Sequence, residues 1–337
     1  MSQYNRRSFL KAGGAAGAIG LTGLSGCLGG ITGGGGTPTL RMSYVVPVEN
    51  YGSLMGIEEI QSELPNMGDA YEFEISRVSG TPEGINTMAA GELDLTYTTT
   101  VSFGNAMANQ AVPGGAPAIA TDFWDAHPDS YSLTVFSAPD SDITEAADME
   151  GKKLGVNAVG TGIHFGYVKA MAENGLTRDD VEFVEIGFPS FNQAIKDGRF
   201  DVGIYPAFFA PGARAEEFTK VYDTSEYLEP YPFTYINAAQ NSLDEKGDAI
   251  RAWGEDLAAM FELSKTDREM VVGAATSHFE LPDGMLDGWY LTENDYHRAG
   301  PEMDVDAVSN IMGQLVEHDY LEEDLNWGDY VTNDYLP

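Results

Sequence analysis

The chain has 337 residues, of which 53 are Asp or Glu and 18 are Lys or Arg, so its formal net charge is −35. This charge repels phosphate backbones and anionic headgroups, which excludes nucleic acid as a partner. Hydrophobic residues make up 43% of the sequence, as in a folded globular protein rather than a disordered acidic one. Because salt screens charge repulsion within about 3 Å at 1 M, the composition is typical of a halophilic protein. The alternative is an acidic protein that works at ordinary salt.

The first 26 residues predict an export signal. Arg6 and Arg7 precede an apolar stretch rich in Ala and Gly, from Ala12 to Leu24. Paired arginines before a short apolar region are typical of twin-arginine (Tat) export, and the stretch is shorter than the roughly 20 residues that span a bilayer as a helix. We therefore expect residues 1–26 to direct the chain out of the cytoplasm rather than to cross the membrane.

Residues 24–27, Leu-Ser-Gly-Cys, resemble a lipobox, in which the cysteine is lipidated and the chain is cut before it. Cys27 is the only cysteine, so no intramolecular disulfide can form. The Gly-rich residues that follow predict a flexible tether, which makes 27–38 a lipidated cysteine and its linker. Because one acyl chain holds only reversibly, firm anchoring on the outer face of the membrane needs two. The alternative is a chance cysteine after a Sec-type or uncleaved signal.

From Thr39 onward the sequence alternates between strand and helix patterns. Strands are predicted at 40–46, 71–78 and 93–98, and helices at 54–64, at 82–90 and from 102. Strands joined by crossover helices indicate a parallel sheet with both faces covered. The first part of the mature chain is therefore expected to be an α/β lobe.

The same pattern starts again near residue 142. A helical turn is predicted at 145–148, strands at 153–156, 181–186 and 201–205, and helices at 162–174 and 191–196. In both passes a helix ends at a glycine, Gly91 or Gly198, and an aspartate, Asp94 or Asp201, begins the next strand. The sequence predicts an α/β fold of two doubly wound lobes around a ligand cleft, with a helical C-terminal cap. Residues 39–125 and 235–337 are assigned to lobe 1, and 126–234 to lobe 2.

Small and polar residues follow the predicted strands, where ligands bind in open α/β sheets. These loops are 47–51, 79–81, 98–100, 157–164, 189–190 and 205–209. Several lead straight into helices, whose N-termini favour a negatively charged group. We therefore expect a small anionic organic solute between the lobes.

Two parts of the chain are similar to the TAXI family of solute receptors for TRAP transporters: residues 77–86 with 90–95, and 149–156 with 160–162 and 174–181. The likeness covers roughly 77–218. It implies a bilobal fold of the periplasmic binding protein type 2, capture of a small carboxylate or amino acid, and delivery to a TRAP-type membrane permease. The loop at 47–52 departs from the family. The tail at 306–337 resembles ABC-type receptors of the sulfonate, taurine and thiamine-precursor group, which gives the alternative function.

Carried onto this sequence, the resemblance implies ligand contacts on ten residues of those loops. They are Asn50, Tyr51, Gly80, Thr81, Thr98, Thr100, Thr161, His164, Tyr205 and Phe208. Some have structural alternatives: the threonines fit a strand end, Phe208 fits a lobe core, and His164 fits a structural histidine. Arg77 and Arg214 are possible carboxylate partners, with surface ion pairs as the alternative.

An enzyme is the competing class. The glycines near 155–166 lack the spacing of a dinucleotide fingerprint, and the five histidines have no metal-binding spacing. No Gly-x-Ser-x-Gly elbow or phosphate loop occurs in the sequence. We therefore expect a receptor without catalytic activity, cofactor or metal, with an exported α/β enzyme and a structural surface protein as alternatives.

Overall fold

The structure is a computed structural model, which describes residues 36–130, 132–292, 295 and 299–337. The chain divides into two units, Met1–Gly36 and Thr37–Pro337, and the second contains all the elements below. Cys27, the predicted export signal and most of the predicted tether lie outside the described residues.

The first sheet has five strands in the order β2-β1-β3-β10-β4. Their bounds are β1 (Thr39–Tyr44), β2 (Glu72–Arg77), β3 (Leu95–Thr99), β4 (Ala118–Asp125) and β10 (Tyr231–Ala238). β1 runs parallel to β2 and β3, whereas β10 is antiparallel to both of its neighbours, β3 and β4. We call this sheet and its helices lobe 1.

The second sheet has the order β7-β6-β8-β5-β9. Its strands are β5 (Thr134–Ser137), β6 (Lys153–Val156), β7 (Glu182–Glu185), β8 (Val202–Tyr205) and β9 (Thr219–Asp223). β6 is parallel to β7 and β8, and β5 is antiparallel to β8 and β9. This sheet and its helices form lobe 2.

Helices cover both sheets. Lobe 1 has α1 (Tyr51–Met55), α2 (Glu58–Gln61), α3 (Thr81–Ala89) and α4 (Thr100–Ala108), and lobe 2 has α5 (Gly162–Glu173), α6 (Phe191–Lys196) and α7 (Ala210–Ala215). The C-terminal part forms α8 (Gln240–Thr266), α9 (Arg268–His278) and α10 (Val305–Glu317). Short 3-10 helices lie at Ala146–Met149, Arg178–Asp180, Phe188–Ser190, Thr224–Glu226 and Trp327–Asp329. Within the described ranges, no helix combines the length and apolar character needed to cross a bilayer.

The predicted fold class is confirmed, with one difference in strand direction. The sequence predicted parallel sheets, but each sheet contains one antiparallel strand, β5 or β10. Each of these is the first strand after the chain passes from one lobe to the other. Because the parallel strands end at the cleft, a chain that enters a lobe from the cleft runs away from it, and its first strand is antiparallel.

The division into lobes at 39–125 with 235–337, and 126–234, stays a prediction. The return strand β10 begins at Tyr231 and belongs to the first sheet along its whole length. It therefore starts ahead of the predicted boundary.

A second difference is that the predicted helix at 54–64 is two short helices, α1 and α2, separated at Gly56 and Ile57. A side chain at Gly56 would meet Ile75 Cγ2 of β2 at 2.7 Å. The glycine thus lets the end of α1 lie directly against the sheet, and the chain turns there.

The C-terminal helices pack on lobe 1, as predicted. Trp253, Leu257 and Met260 of α8 are fully buried on one face of the sheet, together with residues of α1 and α9. On the other side, α10 packs against α4 and β10. Both faces of the first sheet are therefore covered, and its ligand-facing edge is left to meet lobe 2.

Candidate functional site

A cavity lies between the lobes, at the edge where β1, β3, β6 and β8 end, as the loop pattern predicted. It is lined by Val45, Val46, Glu49, Asn50, Thr81, Tyr97, Thr99, Phe123, Asn157, Thr161, Ile163, Phe188, Pro206, Phe233 and Thr234. The centre of a water molecule can move within about 40 Å³ of it, which is room for a few waters. A solute of several heavy atoms therefore needs the lobes to move apart before it can enter this interlobe cavity.

Three helices begin at the cavity. α3 starts at Thr81, α4 at Thr100 and α5 at Gly162, each preceded by an extended N-cap residue. Helix N-termini present backbone N–H groups and the positive end of the helix dipole, which together favour an anionic group. Two of these helices come from lobe 1 and one from lobe 2, so an anion bound here would contact both lobes.

Asn50 lines the cavity, but its side chain holds its own loop in place. Its Oδ1 accepts the N–H groups of Val45 and Val46, both at 3.0 Å, and its Nδ2 donates to Asp122 Oδ2 at 3.0 Å. Asp122 is fully buried on β4 and also accepts the Tyr51 N–H. The two side chains fix the loop after β1 against the sheet, so Asn50 acts here as a positioning residue.

The threonines at the helix starts form a hydroxyl chain that crosses between the lobes. Thr81 Oγ1 lies 2.6 Å from Ser102 Oγ, and Thr99 Oγ1 donates to the same Ser102 oxygen at 3.2 Å. Thr99 Oγ1 in turn accepts the Gly162 N–H of lobe 2 at 3.1 Å. Thr161 caps α5, since its Oγ1 accepts the His164 N–H. This chain aligns the starts of α3, α4 and α5 with one another.

Of the ten predicted ligand contacts, Asn50, Thr81 and Thr161 line the cavity. Gly80 lies at its rim, where a side chain would approach Asn157 Nδ2 at 3.8 Å. The other six predicted contacts do not reach the cavity wall: Tyr51, Thr98, Thr100, His164, Tyr205 and Phe208. Binding itself stays a prediction for all ten.

Of these six, Tyr51, Thr98 and Thr100 have their side chains directed into lobe 1. Tyr51 packs its ring on Phe261 of α8. Thr98 Oγ1 donates to Asn237 Oδ1 at 2.6 Å, and Thr100 Oγ1 donates to the Pro232 carbonyl oxygen at 3.0 Å. Thr98 and Thr100 alternate with Thr99 along the chain, and only Thr99 reaches the cavity. The sequence does not fix which face of the strand is turned to the cavity, so it did not separate Thr99 from its two neighbours.

Tyr205 packs in the core of lobe 2, whereas the side chain of Phe208 reaches across to the core of lobe 1. Tyr205 is buried against Phe136 and Phe191, and burial raises the pKa of its phenol. Phe208 packs edge-on against Phe209, its side chain is buried in the hydrophobic cluster of lobe 1, and its backbone N–H donates to Glu49 Oε1. Pro206, between these two residues, is the one that lines the cavity.

His164 joins the tail of lobe 1 to lobe 2 instead of contacting the cavity. Its Nδ1 accepts the Gly160 N–H at 3.2 Å and lies 2.7 Å from the Tyr320 hydroxyl, which places the ring proton on Nε2. Burial and, to a smaller extent, the Arg178 charge lower the pKa of His164 to about 4. The imidazole is therefore neutral and structural at neutral pH.

The two candidate arginines also lie away from the cavity. Arg77 Nε donates to the Val45 carbonyl oxygen at 3.2 Å on the outside of the first loop. Arg214 stacks over the ring of Phe136. Neither acts as a carboxylate partner in the cavity of this structure.

The sequence did not predict four residues that line the cavity. Two are polar and two are aromatic. Glu49 and Asn157 lie inside loops that the sequence singled out, but neither residue type was preferred for an anionic solute. Phe123 and Phe233 come from β4 and β10, strands that the sequence did not predict. The apolar runs at 118–125 and 231–238, unbroken by helix patterns, are the signal that would have found them.

The described residues contain no group of three or more His, Cys, Asp or Glu arranged to hold a metal ion. Among the described residues, those that line the cavity include no Cys, His, Lys or Arg. The described part of the wall offers hydrogen bonds, helix N-termini and aromatic rings.

A twin-arginine signal sequence model matches residues 3–23, which confirms the predicted Tat export signal. A second family model, described as NMT1/THI5 like, matches residues 126–253, which is less than half of the chain. A search of curated proteins found no match. Lipidation at Cys27 and the halophilic character stay predictions.

Solved structures with the same fold include sulfonate-binding proteins. The periplasmic aliphatic sulphonate binding protein SsuA from Escherichia coli is 16% identical, with a TM-score of 0.67 over 87% of this chain and 92% of that one. The alkanesulfonate-binding protein SsuA from Xanthomonas axonopodis pv. citri, bound to MOPS, is 13% identical, with a TM-score of 0.71 over 87% and 98%. The desulfurization enzyme DszB is 14% identical, with a TM-score of 0.65 over 88% and 97%.

At these identities the similarity establishes the fold and not the ligand. The sulfonate-binding structures and the NMT1/THI5-like match favour the ABC-type alternative over the TAXI family. The TAXI assignment is therefore corrected. The motifs that suggested it mark where a helix ends and a strand begins, which is a local feature of an α/β lobe.

Proposed function

We propose that this chain is the extracytoplasmic solute-binding subunit of an ABC-type importer, and that it captures a small organic sulfonate or carboxylate between its two lobes. The observation that carries the proposal is the interlobe cavity at which α3, α4 and α5 begin. N–H groups from both lobes can then contact one anionic group, so binding favours the closed arrangement over the open one.

The anionic group is expected at the helix starts and the organic part among the rings. Phe123 and Phe233 lie with centroids 5.3 Å apart on the lobe 1 side, and Phe188 lies on the lobe 2 side. Solute pockets commonly combine such an apolar wall with a few placed polar groups. The sulfonate class is supported by the neighbours SsuA, whose structures share this fold.

Binding is tested by isothermal titration of the full chain in high salt with propane-1-sulfonate, butyrate and their amino analogues. Binding at one site is expected, and about 2.7 kcal/mol of added stability at a ligand concentration one hundred times the dissociation constant. Phe188→Ala should weaken binding, whereas Phe279→Ala, on lobe 1 away from the cavity, should not. Equal affinities for both variants would place the site elsewhere.

An enzyme with this fold is the second candidate, because DszB shares it. The described residues of the cavity wall include no cysteine or histidine, two residue types that often serve as nucleophile and base. We expect a bound sulfonate or sulfinate to be recovered unchanged. Release of sulfite from propane-1-sulfonate or an aryl sulfinate would favour the enzyme.

Delivery of the solute needs the receptor near a membrane permease. The Tat signal supports export, and we propose that Cys27 then carries the lipid that holds the chain on the outer face of the membrane. Cys27→Ser should release the mature protein into the medium on cell fractionation. Unchanged membrane association of the variant would contradict lipid anchoring while leaving solute binding untouched.

A further inference from the structure

The lobes also meet away from the cavity, through the turn that follows α10. Residues 318–320 of this turn lie against lobe 2, and we call them the tail latch. Tyr320 Oη lies 2.7 Å from His164 Nδ1 of α5. Arg178 of lobe 2 donates to the His318 carbonyl oxygen at 2.7 Å, and its guanidinium stacks over the Tyr320 ring. The latch thus joins the lobes by two hydrogen bonds and a stacked cation.

The tail latch is fixed to lobe 1. The Tyr320 N–H donates to the Leu315 carbonyl oxygen of α10 at 2.8 Å. The next residue, Leu321, lies against α4, where a side chain at Gly104 would meet Leu321 Cδ1 at 3.1 Å. Because α10 and α4 pack on each other and on β10, the latch moves together with lobe 1.

On lobe 2 the latch lies far from the places where the chain crosses between the lobes. The chain enters the second sheet at β5 and leaves it from β9, which are neighbours at one edge. His164 instead packs edge-on against Phe183 of β7, the strand at the opposite edge, with ring centroids 4.4 Å apart. Strands lie about 4.8 Å apart, so β7 is about 14 Å from β5 across the sheet. A rotation of the lobes about the crossings therefore changes the distance across the latch, as it does across the cavity.

His164 fits this contact as the neutral imidazole. It is 1% exposed, and its Nδ1 accepts the Gly160 N–H at 3.2 Å, which a protonated Nδ1 could not do. Its Nε2 is buried without a hydrogen-bond partner among the described residues. Arg178 places a positive charge nearby, and Glu185 of β7 accepts the Val159 N–H. Burial and the Arg178 charge therefore keep the pKa of His164 at about 4 in the closed arrangement.

Opening of the lobes changes the surroundings of this histidine. When Tyr320 moves away, water reaches the imidazole and its pKa rises toward the ordinary value of about 6.5. A proton then binds the open form more tightly than the closed form, so acid favours opening. We propose that the tail latch sets the balance between closed and open lobes, and that protonation of His164 opens it and releases the solute. This inference rests on the proposed function and concerns the regulation of the same cavity.

The latch is tested first without ligand. Tyr320→Phe removes the latch hydroxyl and keeps the ring. By pulsed electron resonance, the distance between spin labels on α2 of lobe 1 and α6 of lobe 2 should shift toward longer values in this variant. Tyr71→Phe is the matched control, because the Tyr71 hydroxyl makes a bond of the same length, 2.7 Å, to Asp256 inside lobe 1. The control should keep the distance distribution of the wild type.

The proton dependence is tested with propane-1-sulfonate, which stays ionised between pH 7 and pH 5. In isothermal titrations of the full chain in high salt, the affinity should fall about tenfold over this range. His164→Gln cannot titrate at this position and should lose about threefold or less. His318→Gln is the second control, because burial and the Lys169 charge also lower the pKa of His318, whose ring packs on Phe165. It should still lose about fivefold or more.

The outcomes separate this inference from the proposed function. An unchanged distance distribution in Tyr320→Phe overturns the latch, and an equal pH dependence in His164→Gln and wild type overturns the role of the proton. Either result leaves the receptor standing if propane-1-sulfonate binds at pH 7. If it does not bind, the proposed function fails, and the ligand-free distances at pH 7 and pH 5 still decide the latch: longer distances at pH 5 support it, and equal distances overturn it.

Discussion

Both lobes contain the same helix–glycine–strand motif, but the aspartate of the motif is buried in lobe 1 and exposed in lobe 2. In lobe 1, Asp94 accepts the Arg41 N–H of β1 at 2.9 Å, and in lobe 2, Asp201 accepts the Lys153 N–H of β6 at 2.8 Å. The glycines that precede them, Gly91 and Gly198, have φ of +78° and +68°. The repeated motif therefore has the same local role in both lobes, which is to start the central strand of the sheet, β3 or β8.

The difference lies in what covers the motif. Asp201 is exposed. Asp94 is 2% exposed beneath α8, where Ser242 Oγ donates to it at 2.7 Å and Lys246 Nζ at 2.8 Å. Burial raises the pKa of Asp94, but the hydrogen bonds from Lys246, Ser242 and Arg41 outweigh burial and leave the pKa lowered. The same sequence motif therefore has only a local role in lobe 2. In lobe 1 its aspartate also holds α8 against the sheet through Ser242 and Lys246.

Replacing each aspartate in turn gives the largest expected difference in stability between the two lobes. Asp94→Ala leaves Lys246 without its buried partner, and we expect the free energy of unfolding to fall by about 3 kcal/mol. Asp201→Ala should cost less than about 1 kcal/mol, since water can replace its single bond. Urea unfolding of both variants in the same high-salt buffer compares the two losses. Equal losses would contradict the distinction between the lobes.

The contact between Tyr320 and His164 is expected to make the stability of the fold depend on pH. His164 has a pKa of about 4 in the folded chain and about 6.5 when unfolded. Between these values the unfolded chain binds the proton and the folded chain does not, so stability is lost as the pH falls below 6.5. We expect about 2 kcal/mol of loss between pH 7 and pH 5 from this group.

The measurement is urea unfolding of the full chain at pH 7 and pH 5, compared with His164→Gln. The variant cannot titrate at this position, so its loss over the same range should be smaller by about 2 kcal/mol. An identical pH dependence in both proteins would show that His164 is not buried in its neutral form against Tyr320 and Phe183.

A smaller change, in solute affinity, is expected from a substitution where the two lobes touch beside the cavity. A side chain at Gly162 of lobe 2 would meet Phe233 Cε2 at 2.8 Å and Thr99 Cβ at 3.0 Å, both in lobe 1. Gly162→Ala should hinder closure and weaken solute binding about tenfold, which corresponds to about 1.4 kcal/mol. Gly313→Ala, in open space on α10, is the control and should bind like wild type. Tight binding by Gly162→Ala would show that closure does not need this contact.

The sequence predicted much of the fold because its signals are local. β6 and α6 were predicted with their observed bounds, and the glycine-to-aspartate repeat lies as expected at the start of β3 and β8. The crossover strands β5 and β10 were missed since their direction depends on how the chain passes between lobes. That information is in the topology and not in the pattern of any short segment.

The candidate site was predicted less well, for a related reason. The loops were identified, but which side chain of a loop enters the cavity depends on packing between lobes. Thr99 and Pro206 line the cavity, while their predicted neighbours Thr98, Thr100, Tyr205 and Phe208 do not. Asn50 was placed correctly, yet its polar atoms are occupied by Val45, Val46 and Asp122, and no sequence pattern shows such partners.

The central claim is that a solute closes the two lobes around the interlobe cavity. Spin labels at Glu59→Cys in lobe 1 and Gln193→Cys in lobe 2, in a Cys27→Ser background, allow the distance between the lobes to be measured by pulsed electron resonance. The distance is expected to be longer and more broadly distributed without ligand, and to shorten to one narrow population with saturating taurine or propane-1-sulfonate. One unchanged distribution under saturating ligand would contradict the account.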